Sequence, residues 1–135
     1  MSDAIVFNHV GPHFLIQDVS RSIEFYARIL GFHLEYVDGS PPHYAVVFRD
    51  DVYIHLSKTG ALGYPSGPGC AFISVSGVDA LWQRVAAAKP EIVEPLAESD
   101  YGHGVLFRVF TIRDPDGNVL RIGQPLGTQD NGTAA

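Results

Sequence analysis

Apolar and polar positions change their rhythm several times along the chain, and the changes mark out elements. His13 to Gln17 reads as a short strand, and Asp18 and Ser20 supply helix-capping chemistry before RSIEFYARILGF, where Ile23, Tyr26, Ala27 and Leu30 recur at helical spacing. Gly31 ends that helix. Three runs follow, FHLEYV, HYAVVFRD and VYIHLSK, rich in β-branched and aromatic residues and separated by Asp-Gly-Ser-Pro-Pro and Asp50-Asp51 turn signals. The first half is therefore predicted to be β-α-β-β-β.

After a Gly- and Pro-rich segment, residues 59–69, the order begins again. CAFISV reads as a strand, Asp79 is placed to cap ALWQRVAAAK, and Pro90 stops that helix. EIVEPLAE, VLFRVFTIRD and NVLRIGQ give three more extended runs. FRDDVYIHL and IRDPDGNVLRI are one hairpin written twice, and in that match His55 and Arg121 occupy equivalent positions. Such a duplication predicts an α+β fold of two paired modules, one at about 12–58 and one at about 70–124, within a single domain covering 1–124. The polar, Gly-rich stretch 125–135 is expected to be a flexible tail.

Composition narrows the partners. With 135 residues, 46% of them hydrophobic, and no apolar run approaching the roughly 20 residues of a membrane span, the chain reads as one soluble domain. A net charge of −6 and nine scattered basic residues argue against a nucleic-acid partner. A single cysteine, Cys70, rules out an internal disulfide, and the N-terminus lacks the basic flank and apolar core of a signal peptide, so a cytoplasmic location is expected.

DVSRSIEFYARILGF, the repeated β-α-β-β-β order and the closing RDPDGNVLRI together resemble the vicinal oxygen chelate superfamily: glyoxalase I, extradiol dioxygenases, and fosfomycin- and bleomycin-resistance proteins. The resemblance covers about Pro12 to Gln124 and implies two modules curled into an incomplete barrel around a cavity, usually in a homodimer. It implies either of two chemistries, because the fold hosts metalloenzymes and pure binders alike. Metal-dependent members place His, Glu or Gln on the first and last strands of each module. Those sites fall here on Gly11, His55, Cys70 and Arg121. Glycine offers no ligand and a guanidinium cannot coordinate, which leaves His55 and Cys70 as donors. A slip of two residues would add His9 or His13, giving an alternative three-donor set of His13, His55 and Cys70 for one divalent ion.

A fixed cation at 121 instead suits a carboxylate, phosphate or sulfate on a bound molecule. The departures match the bleomycin-resistance branch, whose members resemble metal-free binders and often carry Pro12-like and Tyr101-Gly102-like residues, although HGVLF is inserted here before Arg108. The expected ligand-binding residues are His55, Arg121, Cys70, Phe72, Tyr53, Tyr101 and His103, with no cofactor and no catalytic residue. Should the chain be an enzyme without metal, His55 would be the base and Arg121 the oxyanion stabiliser. Phe25, Tyr26, Phe48 and Trp82 are expected in the core, and Cys70 is expected to be a small buried residue if it has no role.

Overall fold

The computed structural model describes residues 4–60, 68–100 and 102–128. Its elements run β1 (His13–Ile16), α1 (Val19–Leu30), β2 (His33–Asp38), β3 (Tyr44–Arg49), β4 (Val52–Lys58), β5 (Cys70–Ser74), α2 (Val78–Ala88), β6 (Glu91–Asp100), β7 (Val105–Arg113) and β8 (Val119–Thr128). The duplicated β-α-β-β-β order is present as expected. Each module forms its own four-stranded sheet, β1-β4-β3-β2 and β5-β8-β7-β6, with its first and last strands parallel and the other pairs antiparallel. The sheets do not close on each other, so the barrel is incomplete.

Helix α1 forms where the sequence places it. Asp18 sits in extended backbone and accepts from Arg21 N at 3.1 Å, and Gly31 closes the other end in the left-handed conformation, φ 72°. Its apolar stripe, Val19, Phe25, Tyr26, Ile29 and Leu30, is buried. Helix α2 starts one turn signal earlier than Asp79 implies. Gly77, at φ 75°, sets the boundary, and the Gln124 Oε1 accepts from Val78 N at 2.9 Å. Asp79 is left in the first turn, where it accepts from Arg108 Nε at 2.6 Å instead of capping.

The core lies between helices and sheets. Phe14 and Ile16 of β1 with Ala45, Val47, Ile54 and Leu56 meet α1, while Ile73, Phe110, Ile112, Leu120 and Ile122 meet α2. The helices also pack on each other, and Arg84 Nη2 donates to the carbonyls of Ala27 and Arg28 across that contact. The five-residue β7–β8 turn, 114–118, locks one seam. Asp114 accepts from the buried Tyr26 hydroxyl at 3.0 Å, and Asn118 donates to Leu15 O while accepting from Gly69 N. Desolvation, and then the Asp114 carboxylate, push the Tyr26 phenol well above its ordinary pKa, so it remains a donor.

Three expectations change. Strand β8 continues to Thr128, with Pro125 opposite Phe107 and Thr128 opposite Val105, so the first residues of the expected tail are paired in a sheet. Cys70 is exposed, because its parity puts it on the side of β5 away from α2. Phe48 is only half-buried on the side of its sheet away from α1, although Phe25 and Tyr26 are buried and Trp82 packs against Phe110 at a ring distance of 5.2 Å. Among the described residues no helix is long and apolar enough to cross a membrane.

Candidate functional site

Burial resolves which side of each strand faces a helix, and the other side carries the chemistry. In the first sheet the two-residue β3–β4 loop fixes the register at Val46 opposite His55, Tyr44 opposite Ser57 and Phe48 opposite Tyr53, while β1 brings His13 beside His55. Ile54 and Leu56 point to α1, so Tyr53, His55 and Ser57 stand on the open face.

That face is covered with rings. The His13 and His55 imidazoles stack at 4.3 Å with planes 10° apart, and Phe48 stacks on Tyr53 at 5.5 Å and 18°. Tyr36 meets Tyr44 edge-on at 6.1 Å, and His33 lies against Phe48. The rings are held by a polar chain: the Tyr44 hydroxyl is hydrogen-bonded with His55 Nδ1, and Ser57 Oγ bonds His13 Nδ1 at 3.3 Å. Burial lowers the His55 pKa, and the neighbouring His13 and then His9 lower it further, so the imidazole is neutral at pH 7.

In the second sheet Arg121 stands beside Phe72 of β5 and opposite Thr111 of β7, and its Nε is buried. Phe72 lies edge-on to Phe107 at 5.6 Å, and its ring crosses Gly123 so closely that a Cβ there would come within 3.2 Å of it. Thr111 donates to Glu94 at 2.9 Å, which brings a carboxylate onto the same sheet. Phe72 and Cys70 share the side of β5 turned away from the core, as alternation requires.

The expected residues therefore fall into two groups. His13, Tyr53 and His55 are together on the first sheet, and Cys70, Phe72 and Arg121 on the second. His103 lies exposed in the β6–β7 turn with φ 54°. Tyr101 lies outside the described residues. Sequence reasoning missed Tyr44, Ser57, Phe48, Tyr36 and Phe107 as face residues. The signal was available for β3, because a two-residue hairpin loop fixes its partners on β4 by counting back from Asp50 and Asp51.

The donor sets inferred for a divalent ion fit this geometry poorly. Gly11 lies so close to His55 that an added Cβ would stand 2.9 Å from Nε2, so no longer side chain fits at that position without displacing the ring. His13 and His55 have nearly parallel planes, and imidazole lone pairs lie in those planes, so the two cannot converge on one ion at about 2.0–2.1 Å. Among the described residues of one chain no three His, Cys, Asp or Glu side chains gather in a way that would hold a metal.

The same architecture recurs in solved structures. TioX from Micromonospora sp. ML1 superimposes with a TM-score of 0.77 at 22% identity, covering 89% of this chain and 100% of that one. A bleomycin-binding protein from Streptomyces verticillus, solved with copper(II)-bleomycin, gives 0.68 at 27% identity over 88% of this chain and 97% of its own. A glyoxalase/bleomycin resistance protein/dioxygenase from Nocardioides gives 0.65 at 20% identity over 98% and 93%. No curated protein matches the sequence. Residues 6–122 match the family description over most of the chain, and with the duplicated modules in place the chain belongs to the Glyoxalase/Bleomycin resistance protein/Dioxygenase superfamily.

Proposed function

We propose that this chain binds a small drug-like or metabolite molecule without a metal, sequestering it in a cavity shared by two copies of the chain. The observations that carry this reading are a ring-covered face on the first sheet and, on the second, a fixed cation at position 121, where the resemblance puts an acid in metal-dependent relatives. Stacked and edge-on rings supply apolar surface at about 25 cal/mol per Å² buried, and Arg121 supplies orientation for an acidic or strongly polar acceptor group. The similarity to a protein solved with copper(II)-bleomycin supports a small-molecule ligand.

A second reading is favoured by one observation, the Tyr44–His55 hydrogen bond on an imidazole kept neutral. A neutral imidazole oriented by a phenol is a competent general base, and Arg121 would stabilise an oxyanion in a metal-independent enzyme. The third member of the set, a divalent-metal lyase, isomerase, transferase or dioxygenase, is disfavoured by the donor geometry described above.

One experiment separates these readings. Protein purified without chelator is analysed for bound metal and titrated with copper(II)-bleomycin and with metal-free bleomycin. The expected result is no stoichiometric zinc, nickel, manganese or iron and saturable binding with the ligand recovered unchanged. Stoichiometric tightly held metal in the ligand-free protein would overturn the binding-only reading, and consumption of ligand that disappears in His55→Ala would transfer it to the second.

A further inference from the structure

The two modules are related by the repeat, and the repeat makes two equivalent seams between each hairpin turn and the opposite helix. One is filled. The β7–β8 turn inserts Asp116 at the start of α1, where its carboxylate accepts from Gln17 N at 3.0 Å and Arg21 Nη2 at 3.1 Å and lies 3.5 Å from Ser22 Oγ. The other is open. Only Asp50 and Asp51 join β3 to β4, against five residues in the second hairpin, and this shorter turn lines the groove beside α2 at its edge and leaves a cleft there.

A cleft of about 660 Å³ occupies that place. Ser76, Gly77, Ala80 and Leu81 line it, and these are the α2 counterparts of Gln17, Asp18, Arg21 and Ser22 when the helix starts are aligned. Its floor is apolar, built from Leu30, Phe32, Ile73 and Ile122. At its rim two guanidinium groups come together. Arg49 Nη1 donates to Leu30 O at 2.8 Å and Arg84 Nη2 to Ala27 O and Arg28 O, and the carbon of each guanidinium lies 3.6 Å from the point a Cβ on Gly31 would occupy. Each uses one nitrogen on carbonyls of the α1 C-terminus, so further N–H donors remain on both. Asp50 and Asp51 share the rim and set a limit, since an anion must seat on the arginine side to avoid them.

We infer that this seam is a second binding site, separate from the ring-covered faces, that takes a small carboxylate with an apolar body. The apolar part covers Leu30, Phe32, Ile73 and Ile122, and the carboxylate pairs with Arg49 and Arg84. Two forked cations favour a planar acid over a neutral group of the same shape.

The test is an amide NMR titration of the whole chain with naphthoate and, in parallel, with the uncharged naphthylmethanol. Naphthoate is expected to shift Asp51, Gly77, Ala80 and Leu81, to bind about tenfold more tightly than the alcohol, and to lose about that factor in Arg84→Gln. Because the comparison of the two probes uses the unmodified protein, it stands even if an arginine variant folds poorly. Equal binding of acid and alcohol, shifts confined to residues around His55 and Phe72, or no saturable shift at the seam would each overturn the site.

Discussion

At the scale of the residue, His55 shows how position decides chemistry. The sequence alone makes it a metal ligand, a base or a surface imidazole with equal ease. Its register beside His13 and its bond to Tyr44 turn it into a half-buried, neutral ring in an aromatic face. Burial is the first cause of its lowered pKa, so the folded protein takes up this proton at lower pH than the unfolded chain does. The sign follows. Between the folded pKa and the unfolded value near 6.5 the unfolded chain binds more protons, so this group makes stability rise with pH through that window and removes it on acidification. The melting temperature of the native protein should fall as pH drops through this window, and His55→Gln should flatten that segment of the profile. An unchanged slope in the variant would show that the imidazole titrates as freely in the fold as outside it.

At the scale of the element, the β7–β8 turn is worth more than its length suggests. Asn118 is fully buried and its amide serves three partners, Gly69 N at 2.6 Å, Leu15 O at 3.3 Å and Asp114 Oδ2 at 2.9 Å. Asn118→Ala would strand the backbone donor of Gly69, just before β5, and the backbone acceptor of Leu15 in β1, as well as a carboxylate bond. The expected loss is about 2–4 kcal/mol in denaturant unfolding, while Asn118→Asp, which keeps the acceptor for Gly69 and loses the donors, should also destabilise by bringing a second carboxylate against Asp114. This turn was legible as DPDGN in the sequence, and so were α1 and the strand order, because capping residues, turn chemistry and periodicity are local signals. The start of α2 was not, since Gln124 sets it by holding Val78 N from 46 residues away. Nor was the face carrying Phe48 and Cys70: alternation says which residues share a side, and only the helix packed on the other side says which side is open.

At the scale of the molecule, the decisive question is what covers the surface that one chain leaves bare. Ile5, Val6, Phe7 and Val10 precede β1 and are among the most exposed apolar side chains of the protein, Phe7 at 94%. Tyr36 and Phe72 add exposed rings on the open sides of the two sheets. Burying side chains of this size against a partner is worth about 1.5–3 kcal/mol each, so the four on each of two copies supply about 12–24 kcal/mol against an association cost of about 4–15 kcal/mol, which brings a micromolar dimer within reach. The proposed shared cavity makes a second copy of the chain the occupant to test, since it would also bring a second sheet to each ring-covered face. Sedimentation at tens of micromolar protein should therefore give a species of twice the 14.7 kDa chain mass. Phe7→Ser with Val10→Ser should move it toward the monomer with the circular dichroism spectrum unchanged, and should weaken bleomycin binding at the same protein concentrations at which the dimer dissociates. Loss of both together, restored together at higher protein concentration, ties the ligand site to the pair. A wild-type monomer that binds ligand undiminished would instead place the whole site on one chain's open faces.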